Sequence, residues 1–192
     1  MRREIAVTKF HRLLNAGPVV LVTTAVKGKQ NVAPVAWVTP LSMRPPLVGI
    51  CLWPGTFTHE LVKRGGEFAL NVPSLDLVKP VDYCGSVSGR DVSDKFATAG
   101  FTLTEGKAVE APLIEECIAH LECGLITAQD FGDHTLFVGE VLAAWADSEA
   151  FDDEAWKLET VETKPLHYLG GHFYGAIESR VEVEAPETEE EE

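Results

Sequence analysis

The chain has no apolar run long enough to cross a bilayer as a helix. That needs roughly 20 apolar residues, and the longest candidate, residues 47–53 (LVGICLW), is the size of one strand. The leading residues MRREIAVTKFHRLL carry positive charge, but Lys9, His11 and Arg12 interrupt any apolar core and no small-residue cleavage site follows. No secretory signal is therefore expected, and a cytoplasmic location is. The four cysteines, Cys51, Cys84, Cys117 and Cys123, show no CxxC spacing, which favours reduced, buried thiols over a redox dithiol or a metal site. Basic residues are scarce as well: 16 Lys and Arg against 30 Asp and Glu leave a net charge of −14. That balance weighs against a nucleic acid partner, because phosphate backbones are held by clustered cations.

The common catalytic signatures are missing too. There is no GxSxG, HExxH, GxxxxGK[ST] or GxGxxG, so hydrolase, zinc protease, P-loop and Rossmann readings lose their main support. The six histidines never stand four apart with an acid between them, and no metal site is expected.

Hydrophobic residues make up 45% of 192, enough for the core of one domain. The spacing of Phe10, Leu13 and Leu14 predicts a leading helix within residues 1–16, stopped by Gly17-Pro18. Residues 19–26 (VVLVTTAV) are β-branched and run into a turn at 27–30, after which 31–39 return antiparallel. Pro40, Pro45 and Pro46 predict a loop around 41–44, since proline cannot donate to a ladder. Residues 47–53 read as a buried strand and 58–64 (THELVKR) as a helix capped by Thr58. A strand at 67–72, a helix over 74–84 disturbed by Pro80, and a polar, glycine-rich excursion at 85–100 follow. Residues 113–128 and 134–145 predict a long hairpin about a turn at 129–133, and 164–175 predict one last strand. Six or seven strands with few long helices imply a small closed barrel.

Residues 178–192 form an acidic tail expected to be disordered. The last twelve residues hold seven Glu and no base, so the body carries −14 + 7 = −7.

One stretch, residues 31–59 (NVAPVAWVTPLSMRPPLVGICLWPGTFTH), combines hydroxyls at a helix start with an aromatic in a strand. Flavin mononucleotide (FMN) needs those features: donors for a phosphate, apolar faces for a planar ring, and a donor or cation near the ring edge. Thr56 and Thr58 are candidates for the phosphate and Trp37 and Tyr168 for the ring. Lys95, Arg64 and His134 are candidate cations or donors. Each has a plainer reading: Trp37 as core or subunit interface, Thr58 as a simple cap, Lys95 as a solvated loop residue.

The order of several motifs adds a family. Residues 31–42 (NVAPVAWVTPLS), 45–50 (PPLVGI), 56–58 (TFT), 67–72 (EFALNV), 94–96 (DKF) and 167–171 (HYLGG) occur in sequence, and the chain resembles the flavin reductase-like group of FMN-binding split barrels, flavoredoxins in particular. The resemblance implies a mainly β fold with short helices, a split β-barrel domain of six or seven antiparallel strands over residues 17–177, and a homodimer binding FMN near the subunit interface. It also implies that Asn31 and Trp37 approach the flavin ring, that Thr58, Thr56 and Ser42 hold the phosphate or ribityl chain, and that Lys95, His134 and Tyr168 or its neighbour His167 complete the site. Three functions stay open: a flavin oxidoreductase using NADH or NADPH, a flavoredoxin-type electron carrier acting on a redox partner protein or a disulfide, and a non-redox ligand-binding barrel dimer. None needs a membrane.

Overall fold

The computed structural model describes residues 2–183. Residues 184–192, the greater part of the expected tail, lie outside it.

In chain order the elements begin with α1 (His11–Leu14), β1 (Gly17–Pro18), β2 (Val20–Val26), β3 (Lys29–Val35), β4 (Val38–Met43), β5 (Pro46–Leu52), α2 (Phe57–Gly65) and β6 (Glu67–Val72). Next come α3 (Val78–Ser86), α4 (Lys95–Ala99), β7 (Leu103–Thr104), β8 (Leu113–Ile114), β9 (Ala119–Phe131), β10 (His134–Ala146), β11 (His167–Gly170) and β12 (Phe173–Gly175). A seven-stranded antiparallel sheet in the order β3-β2-β6-β9-β10-β5-β4 forms the body.

The two edge strands of that sheet, β3 and β4, are consecutive in the chain, joined only by Ala36 and Trp37. Two residues cannot span the width of a flat seven-stranded sheet, so the sheet curls until its edges meet. The result is a split barrel with Trp37 standing in the split, and the Trp37 carbonyl accepts from the Cys51 amide at 2.9 Å.

Strand β2 explains why an unbroken apolar run was needed. Val20 and Val22 belong to the barrel core with Ile50, Phe68, Leu70 and Phe137. Val19, just ahead of the strand, and Leu21 join a second core with Val32, Val81, Cys84, Phe96, Ile114 and Leu166, where α3, α4 and the C-terminal segment cover the outer face. Both faces are buried, so alternation with polar residues is lost. The β2–β3 hairpin closes on Lys27 (φ 51°) and Gly28 (φ 77°), the left-handed pair that a two-residue turn requires.

The structure corrects several sequence expectations. Residues 41–43, expected in a loop, belong to β4, because Pro40 sits on an edge strand, beside a bulge, and no ladder bond is lost. Thr56, not Thr58, caps α2: its hydroxyl accepts from the His59 amide, and Gly66 (φ 73°) ends the helix. Pro80 does not disturb α3, since it lies in the first turn, where its amide would have had no intrahelical acceptor. The hairpin turn between β9 and β10 shrinks to Gly132-Asp133, and residues 164–175 make two strands, β11 and β12, rather than one. The excursion at 85–100 contains α4, capped by the Asp94 carboxylate at 2.9 Å from the Ala97 amide.

Burial also sets acid sensitivity. His59, His120 and His167 each hold a pKa below the ordinary 6.5 because desolvation disfavours the imidazolium. The unfolded chain then takes up protons near pH 6.5 before the native one does, so stability present above that pH falls as pH drops toward the lowered native values. Thermal midpoints should be level from pH 7 to 8 and decline from pH 6.5 to 5. A flat profile across the lower range would contradict this account. The exposed carboxylates held low by hydrogen bonds, Asp133 and Asp152 among them, act in a separate window near pH 4 and below.

Candidate functional site

Two adjoining cavities open beside the split of the barrel. The first, about 360 Å³, is lined by Trp37, Cys51, Trp53, His134, Tyr168 and Tyr174, with Asp82 and His172 at its rim. The second, about 290 Å³, is lined by Asn31, Thr58, Gly85, Ser86, Ser88, Gly89 and Lys95. Pro34, Trp53, Thr56, Gly85 and Ser86 line both, which makes one groove with an aromatic lobe and a polar lobe.

The aromatic lobe is built by orientation through hydrogen bonds. Trp37 donates from Nε1 to Asn15 Oδ1 at 3.1 Å, and its ring lies 4.6 Å from that of His134 at an interplanar angle of 32°. His134 opens β10 and is fixed at Nδ1 by Asp133 Oδ1, 2.8 Å away. Tyr168 packs on Tyr174 with centroids 5.4 Å apart, and Arg12 donates to its hydroxyl at 3.2 Å. At the rim, Asp82 accepts from His172 Nδ1 at 2.9 Å and from the Tyr174 hydroxyl at 3.1 Å. Those bonds, His172 foremost, hold the Asp82 carboxyl below its usual range.

The polar lobe contains two groups that a folded core would not leave as they are. Lys95 is 6% exposed, and no acid of the described residues lies within ion-pair distance of it. Burial pushes its pKa down, partly offset by Cys84. Asn31 is 1% exposed and donates from Nδ2 to Thr58 Oγ1 at 2.8 Å, while its Oδ1 has no partner among the described residues. Buried cations and carbonyls are normally paired, because each loses its hydration. The lobe also receives the start of α2. Thr56 Oγ1 serves the third amide of the helix, leaving those of Phe57 and Thr58 among the unpaired donors of a helix N-terminus.

Of the sequence-predicted residues, Asn31, Thr58 and Lys95 meet in the polar lobe, Trp37, His134 and Tyr168 in the aromatic lobe, and Thr56 at their junction. Tyr168 rather than His167 lines the groove. Ser42 does not join them: it lies on edge strand β4 opposite Leu47. Arg64 is also apart, bound to Glu60 at 2.9 Å. Sequence reasoning missed Trp53, Ser86, Asp82, His172 and Tyr174. Trp53 had a usable signal, the Trp-Pro-Gly break after β5, where the indole lies over Gly55 so closely that a Cβ there would come within 2.1 Å of the ring. The others are brought in by α3 and the β11–β12 hairpin, which local pattern could not place against the barrel.

Fold and groove together describe a split barrel of the FMN-binding type. Residues 11–176 match the flavin reductase like domain, and the chain belongs to that family. It is 36% identical over 188 residues to the uncharacterized protein YddH of Escherichia coli K12, covering 94% of this chain and 98% of that one. Among solved structures it is similar to an FMN-binding domain of a flavin reductases-like enzyme from Shewanella baltica, with TM-score 0.82 and 32% identity, covering 94% of this chain and 96% of that one. A flavoredoxin from Methanosarcina acetivorans matches with TM-score 0.81 and 27% identity over 95% of each chain.

Proposed function

We propose that the chain is a cytoplasmic, FMN-dependent oxidoreductase that draws electrons from NADH or NADPH. The observation that carries this reading is the buried Lys95, which has no acid of the described residues within ion-pair distance, lining the same lobe as Asn31, whose Oδ1 has no partner among those residues, with an aromatic lobe continuous with it. A phosphate in the polar lobe would neutralise Lys95 and take up the free amides of α2 and the Thr58 hydroxyl. A ribityl hydroxyl would satisfy Asn31. The aromatic lobe would hold the ring beside Trp37, with His134 and Tyr168 closing its edges. When bound, FMN supplies the two-electron chemistry, while the protein binds it, orients it and limits water around it.

Apoprotein titrated with FMN should quench the flavin fluorescence at one site per chain, and the complex should bleach under anaerobic conditions with NADH or NADPH. No FMN binding would leave the non-redox ligand-binding barrel. Tight binding without bleaching would favour the second reading, an electron carrier with a protein partner, which the likeness to a flavoredoxin supports. Trp37→Ala should weaken FMN binding by about tenfold, the scale of one aromatic contact of roughly 0.5–1.5 kcal/mol plus lost apolar cover. An unchanged titration would mean the ring lies elsewhere.

A homodimer fits the surface. Edge strand β4 leaves one side of its ladder unpaired and exposes Leu41 (45%) and Met43 (90%), while Leu142 of β10 is 50% exposed. A second copy would cover these groups. Light scattering would report a mass of two chains.

A further inference from the structure

The polar lobe has two walls. One is residues 55–58, at the start of α2, and the other is residues 85–89, between α3 and α4. Among the described residues, no hydrogen bond joins these two stretches directly, and Arg90, the residue after the second, supplies the side-chain bonds that reach α2 and the turn before it. Its Nη1 donates to the Gly55 carbonyl at 3.0 Å, its Nη2 to Glu60 Oε2 at 3.0 Å, and the guanidinium lies 5.0 Å from the Phe57 ring centroid. The segment it anchors is short and tightly turned: the Arg90 amide donates to Ser88 Oγ at 3.2 Å and the Asp91 amide to the Ser88 carbonyl at 3.0 Å. Gly89 is drawn so close to the opposite side that a Cβ there would stand 2.1 Å from Asn31 Oδ1. Arg90 therefore does not point its charge at the lobe. It closes the lobe from outside.

We propose that Arg90 is a latch that fastens the 85–90 segment across the phosphate end of the groove and thereby sets how fast FMN leaves. The inference rests on the FMN reading and deepens it: a closed latch makes the flavin a retained cofactor, and an opened one makes it an exchangeable ligand. Arg90 acts through the segment it holds and is a positioning residue. The fork geometry matters, because lysine offers a single point of attachment and cannot bridge a carbonyl and a carboxylate in the same way.

The test is the FMN dissociation rate, read as recovery of flavin fluorescence after dilution of the complex. Arg90→Ala should raise that rate about three- to tenfold, the range expected from one guanidinium–carbonyl hydrogen bond and one ion pair, both weakened by partial exposure to water. Arg90→Lys should fall between it and the wild type. Arg64→Ala, which removes the other partner of Glu60, should leave the rate unchanged. Lumiflavin, which has the ring without the ribityl phosphate, should dissociate from Arg90→Ala as it does from wild type. An unchanged FMN rate, or an equal rise for lumiflavin, would overturn the latch. Hydrogen exchange on the apoprotein separates this from failure of the FMN reading. Amides of residues 85–90 should exchange faster in Arg90→Ala whether or not flavin binds, and equal protection in both proteins would overturn the latch on its own.

Discussion

Lys95→Met is expected to weaken FMN binding by about 10- to 100-fold without destabilising the apoprotein. A hydrogen bond to a charged group contributes about 1.5–3 kcal/mol, and about 1.4 kcal/mol is a factor of ten. The apoprotein behaves in the opposite sense because Lys95 is largely buried and, among the described residues, no acid lies within ion-pair distance of it; removing it relieves desolvation, so the thermal midpoint should hold or rise. A lysine with a purely structural role would lower both quantities. The wild-type pH dependence supplies a check with a definite sign. Burial lowers the Lys95 pKa from 10.5, so the cation is lost on raising the pH before a free lysine would lose its proton. FMN affinity should decline through that alkaline range in wild type, and the decline should be absent in Lys95→Met. Affinity equal to wild type in the variant would remove Lys95 from the site.

The second large effect concerns the fold alone. Glu122 on β9 is fully buried, and its carboxylate accepts from the Lys107, Ala108 and Val109 amides. Gly106 sits so close that a Cβ would come within 2.5 Å of Oε2. This carboxylate ties the loop between β7 and β8 to the outside of the barrel. Glu122→Ala should cost about 3 kcal/mol, since three donors lose a charged acceptor and regain water only in part. At about 2–4 °C per kcal/mol for a chain of this size, the midpoint should fall by roughly 6–12 °C. Glu122→Gln should lose less, because its carbonyl can still serve the two donors now on Oε2, while its amide group cannot accept from Lys107. FMN affinity should stay within about twofold in both variants, as Glu122 lines neither lobe. A midpoint within a degree of wild type would show that the loop is held by other contacts.

Much of the candidate site could be read from residue order because it lies on continuous local structure. Asn31, Thr56 and Thr58 sit within one hairpin and the helix after β5, and Lys95 follows its own Asp94 cap. The error about which threonine caps α2 has a local cause: the two hydroxyl residues stand two positions apart at the start of the helical pattern, and only the extended backbone of Thr56 (ψ 148°) decides between them. Ser42 was carried by a motif whose pattern says nothing of which way an edge strand faces. His172 and Asp82 stand 90 positions apart, and no periodicity links them.

The sequence by itself determined most strands of the main sheet, the β2–β3 hairpin turn and the family, since β-branched runs, glycine at positive φ and ordered motifs act over a few residues. Tertiary structure alone decided that β3 and β4 meet across a split, that Lys95 is buried with no acid of the described residues to pair it, and that Arg90 bridges the walls of the polar lobe. Those facts depend on how the sheet curls and on which groups lose water when it does, and both are set by contacts between residues far apart in the chain.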